Sequence, residues 1–466
     1  MKAHNFLKNL SYSFSANVVS LGVSVFMVMF LPKFLSLEDY GLWQLFLFYF
    51  SYLGFLHFGW EDGIYLRYAG NDFSGLNSVV FAGQFYGIVL LQIVLVGLGV
   101  SIGNYFIDDI FKKWAFVCAL CLAPVVNFNN LCNFIMQITN RIRDYAMLIF
   151  VERFMLLAGV SVFLFVGINQ FTYLYGAKVF SVWGVSLLGA YLCRQLLRPR
   201  FGAFCEILHE AWENISVGIK LMFANVASML IIGVIRYGIS VGWDVTTFGR
   251  ISLTLGISNF LMIFINSVSV VFFPVIKQMD INQRAEAYVK IREILTIILF
   301  TGLLAYYPLK CILSWWLPKY ADSLIYMSVL FPVCLFESKV SLLINTYLKS
   351  MRQEFLMLKI NVISVGVSVL VTICTVCVLH DLNVAVLSIA ALYAFRCILA
   401  ECHIARLLNI SLKRDIFIDL IMAGAFVSSG WLLDSWVGVL AYACFYGLYL
   451  IINFNKIRSL CSIIHD

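Results

Sequence analysis

The sequence predicts an all-α polytopic membrane protein with about fourteen transmembrane helices, arranged as two six-helix lobes and a C-terminal helix pair. Of the 466 residues, 62% are hydrophobic and 12% are charged, whereas about 25% are charged in soluble domains. Apolar stretches long enough to cross a bilayer follow one another along the chain, and lysine and arginine cluster between them. The net charge of +7 therefore reflects membrane topology rather than nucleic-acid binding.

The predicted helices follow one another with short connections. About 20 apolar residues cross the ~30 Å hydrocarbon layer as a helix. The expected limits are residues 9–31, 42–66, 79–102, 115–138, 146–168 and 172–196, then 217–241, 247–273, 292–317, 322–348, 355–379 and 384–408, and finally 415–433 and 436–454.

The basic residues lie mostly in alternate loops. Short cytoplasmic loops carry an excess of lysine and arginine, so both termini are predicted to be cytoplasmic, which requires an even number of helices. The residues assigned to cytoplasmic loops include Arg141, Arg143, Arg194, Arg198, Arg200, Lys277, Arg284, Lys290, Arg292, Lys349, Arg352, Arg406, Lys413 and Arg414. The opposite side has little beyond Lys33, Lys112, Lys113 and Lys319.

An internal repeat predicts the two lobes. The pattern ANVxS at residues 16–20 recurs at residues 224–228, an offset of 208, and GVSV at residues 159–162 recurs at residues 366–369, an offset of 207. A duplicated unit with an even number of helices gives two parallel lobes, which commonly enclose a substrate site at their interface. We expect an N-lobe over residues 1–200, a C-lobe over 201–411, and a helix pair with a cytoplasmic tail over 412–466.

Polar side chains on the first and seventh helices are candidates for the walls of a cavity. Asn17 and Ser24 share one face of the first helix, and Asn225 and Arg236 share one face of the seventh. Asn17 and Asn225 are therefore predicted to bind substrate. The alternatives are close helix packing by small polar residues and, for Arg236, snorkelling to the membrane interface.

Four arginines, Arg67, Arg153, Arg236 and Arg396, are predicted to contact an anionic substrate. An arginine at the centre of the bilayer costs about 2.5–3.5 kcal/mol on insertion scales, so it is expected to be paired or solvated. The guanidinium group suits phosphate oxygens because its donors are planar and bidentate. A structural ion pair between Glu337 and Arg396 is the alternative for Arg396. The alternative for Arg153 is an ion pair of Glu152 and Arg153 with each other or with a neighbouring residue.

Three acidic residues, Glu61, Asp62 and Glu337, are predicted to couple transport to an ion. Carboxylates within membrane spans are costly and commonly mark proton or cation pathways. The alternative for the first two is a local ion pair with Arg67. The coupling ion, a proton or sodium, stays open.

No cofactor or metal site is predicted. The 13 cysteines are scattered, mostly in apolar helices, where a thiol behaves as a small hydrophobic group. Two C-x-x-C patterns, at residues 118–121 and 374–377, lack the basic neighbours of a redox site.

Five segments of the chain resemble the Wzx-type polysaccharide flippases, within the superfamily that includes the MATE exporters and the lipid II flippase MurJ. The segments are FLKNLSYSFSANVVSLGVSVF, FLSLEDYGLW, FGWEDGIYLRYAG, NRIRDY and VFFPVIKQ. The resemblance implies a flippase of the bacterial inner membrane that moves undecaprenyl-diphosphate-linked oligosaccharides, such as O-antigen units of lipopolysaccharide, from the inner to the outer leaflet by alternating access. It also implies that the four arginines meet the diphosphate, and that polysaccharide polymerase or assembly proteins are partners.

Two other classes of protein are alternatives. A MATE-like cation-coupled exporter of small molecules is expected to have a more acidic cavity. A membrane enzyme acting on the same lipid is expected to have a large extramembrane loop or a catalytic carboxylate cluster. The sequence predicts neither of these two features. The chain is therefore predicted not to be an enzyme.

Overall fold

A computed structural model describes residues 2–167, 170–198, 204–259, 262, 281–351, 353–433 and 436–453. Its regular secondary structure over these residues is helical. Within the described ranges, nine helices are long and apolar enough to cross a membrane, or ten if the bent pair Pro318–Leu330 and Val333–Ser350 is one span. The protein is therefore a multi-pass α-helical membrane protein, while the count of fourteen, the placement of the termini and the lobe boundaries stay predictions. The segment VFFPVIKQ and most of the predicted helix 247–273 lie outside the described residues.

The chain divides into two compact units. One comprises the residues up to Val226 together with Val245–Gly249, and the other comprises Ala227–Asp244 and the residues from Arg250 onward. The helices that begin in the first unit are α1 (Lys2–Met29), α2 (Leu31–Phe34), α3 (Leu37–Phe50), α4 (Trp60–Tyr68), α5 (Ser78–Phe106), α6 (Ile110–Leu120), α7 (Ala123–Ile138), α8 (Ile142–Val166), α9 (Phe171–Leu192), α10 (Phe204–Gly242) and α11 (Val245–Ser258).

The second unit continues the helical architecture. Its further helices are α12 (Ile281–Leu303), α13 (Tyr306–Trp316), α14 (Tyr326–Leu330), α15 (Val333–Ser338), α16 (Asn345–Ser350), α17 (Glu354–Thr372), α18 (Leu382–Leu407), α19 (Lys413–Leu432) and α20 (Trp436–Ile452). Two π-helical segments, Lys339–Ile344 and Ile373–Val378, lie before α16 and after α17.

Short polar side chains start several helices. Ser36 accepts a hydrogen bond from the Asp39 N–H at 3.0 Å and so caps α3. Asn77, Asp109 and Asp381 cap α5, α6 and α18 in the same manner. Each cap satisfies backbone donors that have no partner inside the helix, and each contributes about 1 kcal/mol.

The predicted helix over residues 42–66 is broken in the structure, and the expectation of one continuous helix is wrong. Helix α3 ends at Phe50, a short 3₁₀ turn covers Leu53–Phe55, and α4 begins at Trp60. Phe58 and Gly59 both have positive φ, at 51° and 84°, a conformation that does not continue a right-handed helix. The Gly59 N–H donates to His57 Nδ1 at 3.0 Å, which fixes this turn.

Glycines allow α4 to contact the backbone of α10. A Cβ atom added to Gly63 would lie 1.8 Å from the Asn214 carbonyl oxygen, and one added to Gly218 would lie 2.0 Å from the Gly59 carbonyl oxygen. The position of α4, and of the charged side chains on it, therefore depends on the absence of side chains at these positions.

We expect Gly63→Ala to destabilise the protein because the new methyl group meets backbone atoms that cannot rotate away. The expected loss is about 1–3 kcal/mol, typical of overpacking, although alanine is the better helix former. Gly97→Ala is the matched control, since a Cβ there would have no neighbour within 4 Å. Thermal unfolding of the purified protein in detergent measures both, and equal stability of the two variants would contradict the packing argument.

Four charged side chains form a buried network in the second unit. Arg292 donates from Nε and Nη2 to the Glu401 carboxylate at 2.7 and 3.0 Å, and it also contacts Asp419. Asp419 is also paired with Lys339. All four residues are at most 4% exposed. The assignment of Arg292 to a cytoplasmic loop is therefore wrong: it lies within α12 and joins that helix to α18 and α19.

Candidate functional site

A polar cavity lies within the first unit, among helices that are otherwise apolar. Its volume is about 410 Å³. Helices α1, α3, α7, α8 and α9 contribute its walls. The lining side chains include Val23, Ser24, Met27, Trp43, Leu47, Phe50, Asn129, Asn130, Asn133, Glu152, Arg153, Leu156, Lys178 and Val182.

The charges in this cavity are two cations and one anion. Lys178 Nζ lies 2.8 Å from Glu152 Oε1 and 4.4 Å from the centroid of the Phe50 ring. Arg153 Nε is buried and has no hydrogen-bond partner among the described residues. Lys178 is thus the hydrogen-bonded partner of Glu152, which is the alternative of a pair with a neighbouring residue, and the buried Arg153 Nε is left to hydrogen-bond a ligand.

Three asparagines add neutral hydrogen-bonding groups. Asn129 donates to the Val182 carbonyl at 3.0 Å, which leaves its Oδ1 atom, like that of Asn133, without a partner among the described residues. Buried polar groups are usually hydrogen-bonded, so these atoms are acceptors available to hydroxyl donors. Sequence reasoning missed the three asparagines and Lys178. The sequence contained a signal for the asparagines, because Asn133 follows Asn129 by four residues and Asn130 by three, which places them on one face of α7.

The acidic residues of α4 lie beside a histidine. Glu61 is completely buried, and neither of its carboxylate oxygens has a hydrogen-bond partner within the described part of the chain. His57 Nε2 lies 4.0 Å from Glu61 Oε2 and 3.9 Å from Asp62 Oδ2. An ionised carboxylate buried without a hydrogen-bond donor is costly, so Glu61 favours occupancy by a proton or a cation.

Arg67 pairs with helix α10 and not with its neighbours on α4. It contacts the carboxylates of Glu210 and Glu213 and donates to Asn214 Oδ1 at 2.6 Å. The alternative of a local pair with Asp62 or Glu61 is therefore wrong. Arg67 already has two anionic partners, so a diphosphate that reached it would have to compete with them.

Arg396 and Glu337 form the structural ion pair that the sequence left open. Arg396 Nη1 donates to Glu337 Oε2 at 2.8 Å, and its other donors reach Asn361 and Ser228 at 3.1 and 2.9 Å. The arginine side chain is almost completely buried. Through these contacts Arg396 joins four helices, α10, α15, α17 and α18, and any ligand of Arg396 would require its pair with Glu337 to open.

The remaining predicted site residues, Arg236, Asn17 and Asn225, do not line the polar cavity of the first unit. Arg236 is half-buried and donates to Ser252 Oγ at 3.0 Å, while Asn17 and Asn225 are exposed. In the first unit the structure thus places Arg153 in a polar cavity and groups Glu61 with Asp62. Substrate binding and ion coupling by the predicted residues stay predictions.

A large apolar groove lies in the second unit between α13 and the last two helices. Its volume is about 980 Å³, and aromatic rings form much of its wall. Tyr307 holds the helices together by donating to the Gly438 carbonyl at 3.0 Å. The lining residues are Leu304, Tyr306, Tyr307, Pro308, Lys310, Cys311, Ile312, Ser314, Trp315, Gly430, Leu433, Trp436 and Val439.

The fold is shared with solved structures of transporters. The lipid II flippase MurJ in an inward closed conformation matches with a TM-score of 0.68 at 12% identity, covering 97% of this chain and 100% of that chain. An inward-facing multidrug resistance MATE transporter of the MOP superfamily matches with a TM-score of 0.60 at 12% identity, covering 90% and 100%. A MATE protein in complex with MaD3S matches with a TM-score of 0.54 at 13% identity, covering 84% and 93%.

No family model and no curated protein sequence matches the chain. At 12–13% identity, the structural matches show the fold. These neighbours are transporters and flippases, not enzymes. The chain therefore has the fold of MurJ and of MOP-superfamily transporters, and its activity is inferred below from its own residues.

Proposed function

We propose that this protein is a flippase that moves undecaprenyl-diphosphate-linked oligosaccharides, units of O-antigen or another surface polysaccharide, from the inner to the outer leaflet of the bacterial inner membrane. The observation that carries the proposal is the polar cavity of the first unit, in which the Nε atom of Arg153 is buried and has no hydrogen-bond partner among the described residues. A sugar chain and a diphosphate cannot cross hydrocarbon unaided, because their polar groups would lose all hydrogen bonds. A cationic, amide-lined cavity that opens alternately to each side solves this problem.

The chemistry of the cavity suits both parts of the polar head group. The Arg153 guanidinium offers parallel donors to diphosphate oxygens, and the free Oδ1 atoms of Asn129 and Asn133 offer acceptors to sugar hydroxyls. By the resemblance, Arg67, Arg236 and Arg396 also contact the diphosphate at other stages of transport. Asn17 and Asn225, which share polar helix faces, are proposed to contact the substrate as well.

The apolar groove of the second unit suits a polyprenyl tail. Its volume and its Leu, Ile, Tyr and Trp lining match a long hydrocarbon chain rather than a hydrated solute. We propose that the tail lies there, against the helix pair α19 and α20, while the head group crosses through the polar interior.

Ion coupling is assigned to Glu61, Asp62 and Glu337, with a proton or sodium as the ion. Binding of a cation at one conformation more strongly than at the other would shift the balance between the two. Glu61 supports this role because it is buried and its carboxylate has no hydrogen-bond partner in the described part of the chain, whereas Glu337 contributes only when its pair with Arg396 opens.

The second candidate is a MATE-like cation-coupled exporter, which the MATE structural neighbours favour. Such an exporter of cationic compounds needs an acidic binding cavity. The cavity of the first unit has an excess of one positive charge, since Arg153 and Lys178 face only Glu152. The net positive charge of the cavity therefore favours the flippase over the exporter of cationic compounds.

Deletion of the gene tests the proposal. We expect the deletion strain to lose surface polysaccharide and to accumulate the lipid-linked unit on the inner leaflet, both restored by the wild-type gene. Gel analysis of surface polysaccharide and mass spectrometry of extracted lipids give the two readouts. Unchanged polysaccharide in the deletion strain, with increased sensitivity to cationic drugs, would overturn the flippase and support the exporter.

A further inference from the structure

A second, smaller cavity lies at the end of the first unit where the α7–α8 turn meets the end of α9. Its volume is about 240 Å³. Two arginines, two aromatic rings, a leucine and a glutamine line it: Phe73, Arg141, Tyr191, Leu192, Arg194 and Gln195. It shares none of these residues with the polar cavity described above, so the proposed transport function does not explain it.

Arg141 is held rigidly in this cavity. Its Nε and Nη2 atoms both lie 2.7 Å from Asp144 Oδ2, and its Nη1 donates to the Leu192 carbonyl at 3.4 Å. The guanidinium carbon lies 4.6 Å from the centroid of the Phe73 ring. The aromatic contact and the fixed hydrogen bonds orient the guanidinium group before any ligand arrives, which lowers the entropic cost of binding.

Arg194 gives the cavity its net positive charge. Its guanidinium carbon lies 4.9 Å from the Tyr191 ring centroid. The side chain is exposed and has no carboxylate partner in the part of the chain that the structure describes. With Arg141 neutralised by Asp144, Arg194 leaves the cavity with a net charge of +1.

We propose that this cavity binds the phosphate head group of an anionic phospholipid of the inner leaflet. The positive-inside rule predicts that this end of the unit lies on the cytoplasmic side, where basic pockets between transmembrane helices bind anionic head groups. Tyr191, which is 61% exposed, has the amphipathic ring that is enriched at the membrane interface. The same phosphate chemistry occurs in a polyprenyl diphosphate, and the experiment below distinguishes the two.

Native mass spectrometry of the purified full chain, with phosphatidylglycerol or phosphatidylcholine added, tests the proposal. We expect phosphatidylglycerol to bind more tightly than phosphatidylcholine, and Arg194→Gln to lower the affinity for phosphatidylglycerol about fivefold. Arg143→Gln is the matched control, because it removes an exposed arginine from the same end without touching the cavity, and it should leave the affinity unchanged.

Three results would overturn the proposal. Equal losses in both variants would show diffuse attraction to a basic surface, and unchanged binding in Arg194→Gln would show that the phospholipid binds elsewhere. Displacement of phosphatidylglycerol by a much lower concentration of undecaprenyl diphosphate would assign the cavity to the polyprenyl lipid. The first two results leave the flippase proposal, which the deletion strain tests separately, unaffected. The third would overturn the phospholipid site while agreeing with a polyprenyl-linked substrate.

Discussion

Arg153→Ala should abolish most surface polysaccharide production while leaving the amount of protein in the membrane normal. Among the described residues, the buried Nε atom of Arg153 has no hydrogen-bond partner, and the neighbouring Glu152 is paired with Lys178, so we expect the variant to fold. If Arg153 binds the diphosphate, the loss of charge-assisted hydrogen bonds is worth about 1.5–3 kcal/mol, roughly a tenfold to hundredfold loss of substrate affinity. Complementation of the deletion strain measures the effect, with protein abundance determined alongside.

Two further variants make this result specific. Arg153→Lys keeps the charge but loses the bidentate geometry, so we expect partial function. Arg143→Ala removes an exposed arginine from the same helix, α8, outside the cavity, and should produce wild-type levels of polysaccharide. Full activity of Arg153→Ala at wild-type abundance would exclude Arg153 from substrate binding.

Asp419→Asn should destabilise the second unit strongly. Asp419 is the shared partner of Arg292 and Lys339, and neutralising it leaves an excess positive charge in a region where every member of the network is buried. Removing one partner of a buried ion pair typically lowers the free energy of unfolding by about 3–5 kcal/mol. We expect a lower unfolding temperature in detergent and less protein in the membrane.

A double variant separates charge balance from packing. Lys339→Met alone should also destabilise, because it leaves an excess negative charge among Arg292, Glu401 and Asp419. Asp419→Asn combined with Lys339→Met restores neutrality around the remaining Arg292–Glu401 pair, so it should recover much of the stability. Additive losses in the double variant would show that these charges do not act together.

The sequence predicted the class of protein well, because hydropathy and charge placement are properties of local stretches. It kept the Arg396–Glu337 pair as an alternative that the structure then showed, and it required a partner or polar surroundings for Arg153, which lies in the wall of the polar cavity of the first unit, while its role in substrate binding stays a prediction. Both followed from the cost of a lone charge inside the bilayer, which requires a partner or a polar cavity. Nothing in that argument selects the partner, which explains why Lys178 was missed.

The errors came from features that local patterns do not contain. The break before α4 depends on positive φ at Phe58 and Gly59, within a stretch apolar enough to read as a continuous helix. Arg292 was assigned to a loop because its partners Glu401 and Asp419 lie 109 and 127 residues further along the chain. Pairing across such separations is a tertiary property, and a single sequence without its relatives gives no register for it.

The buried network also has a consequence for biogenesis. Ribosomes make Asp419 after Arg292, Lys339 and Glu401, so the chain inserted before α19 emerges carries one uncompensated positive charge among those three. A charge that is buried without a partner is costly. Insertion of α19 neutralises that charge. In turn, Arg292 and Lys339 offset the cost of burying Asp419. The charge network of the nascent second unit therefore stays incomplete until α19 has been made, late in translation.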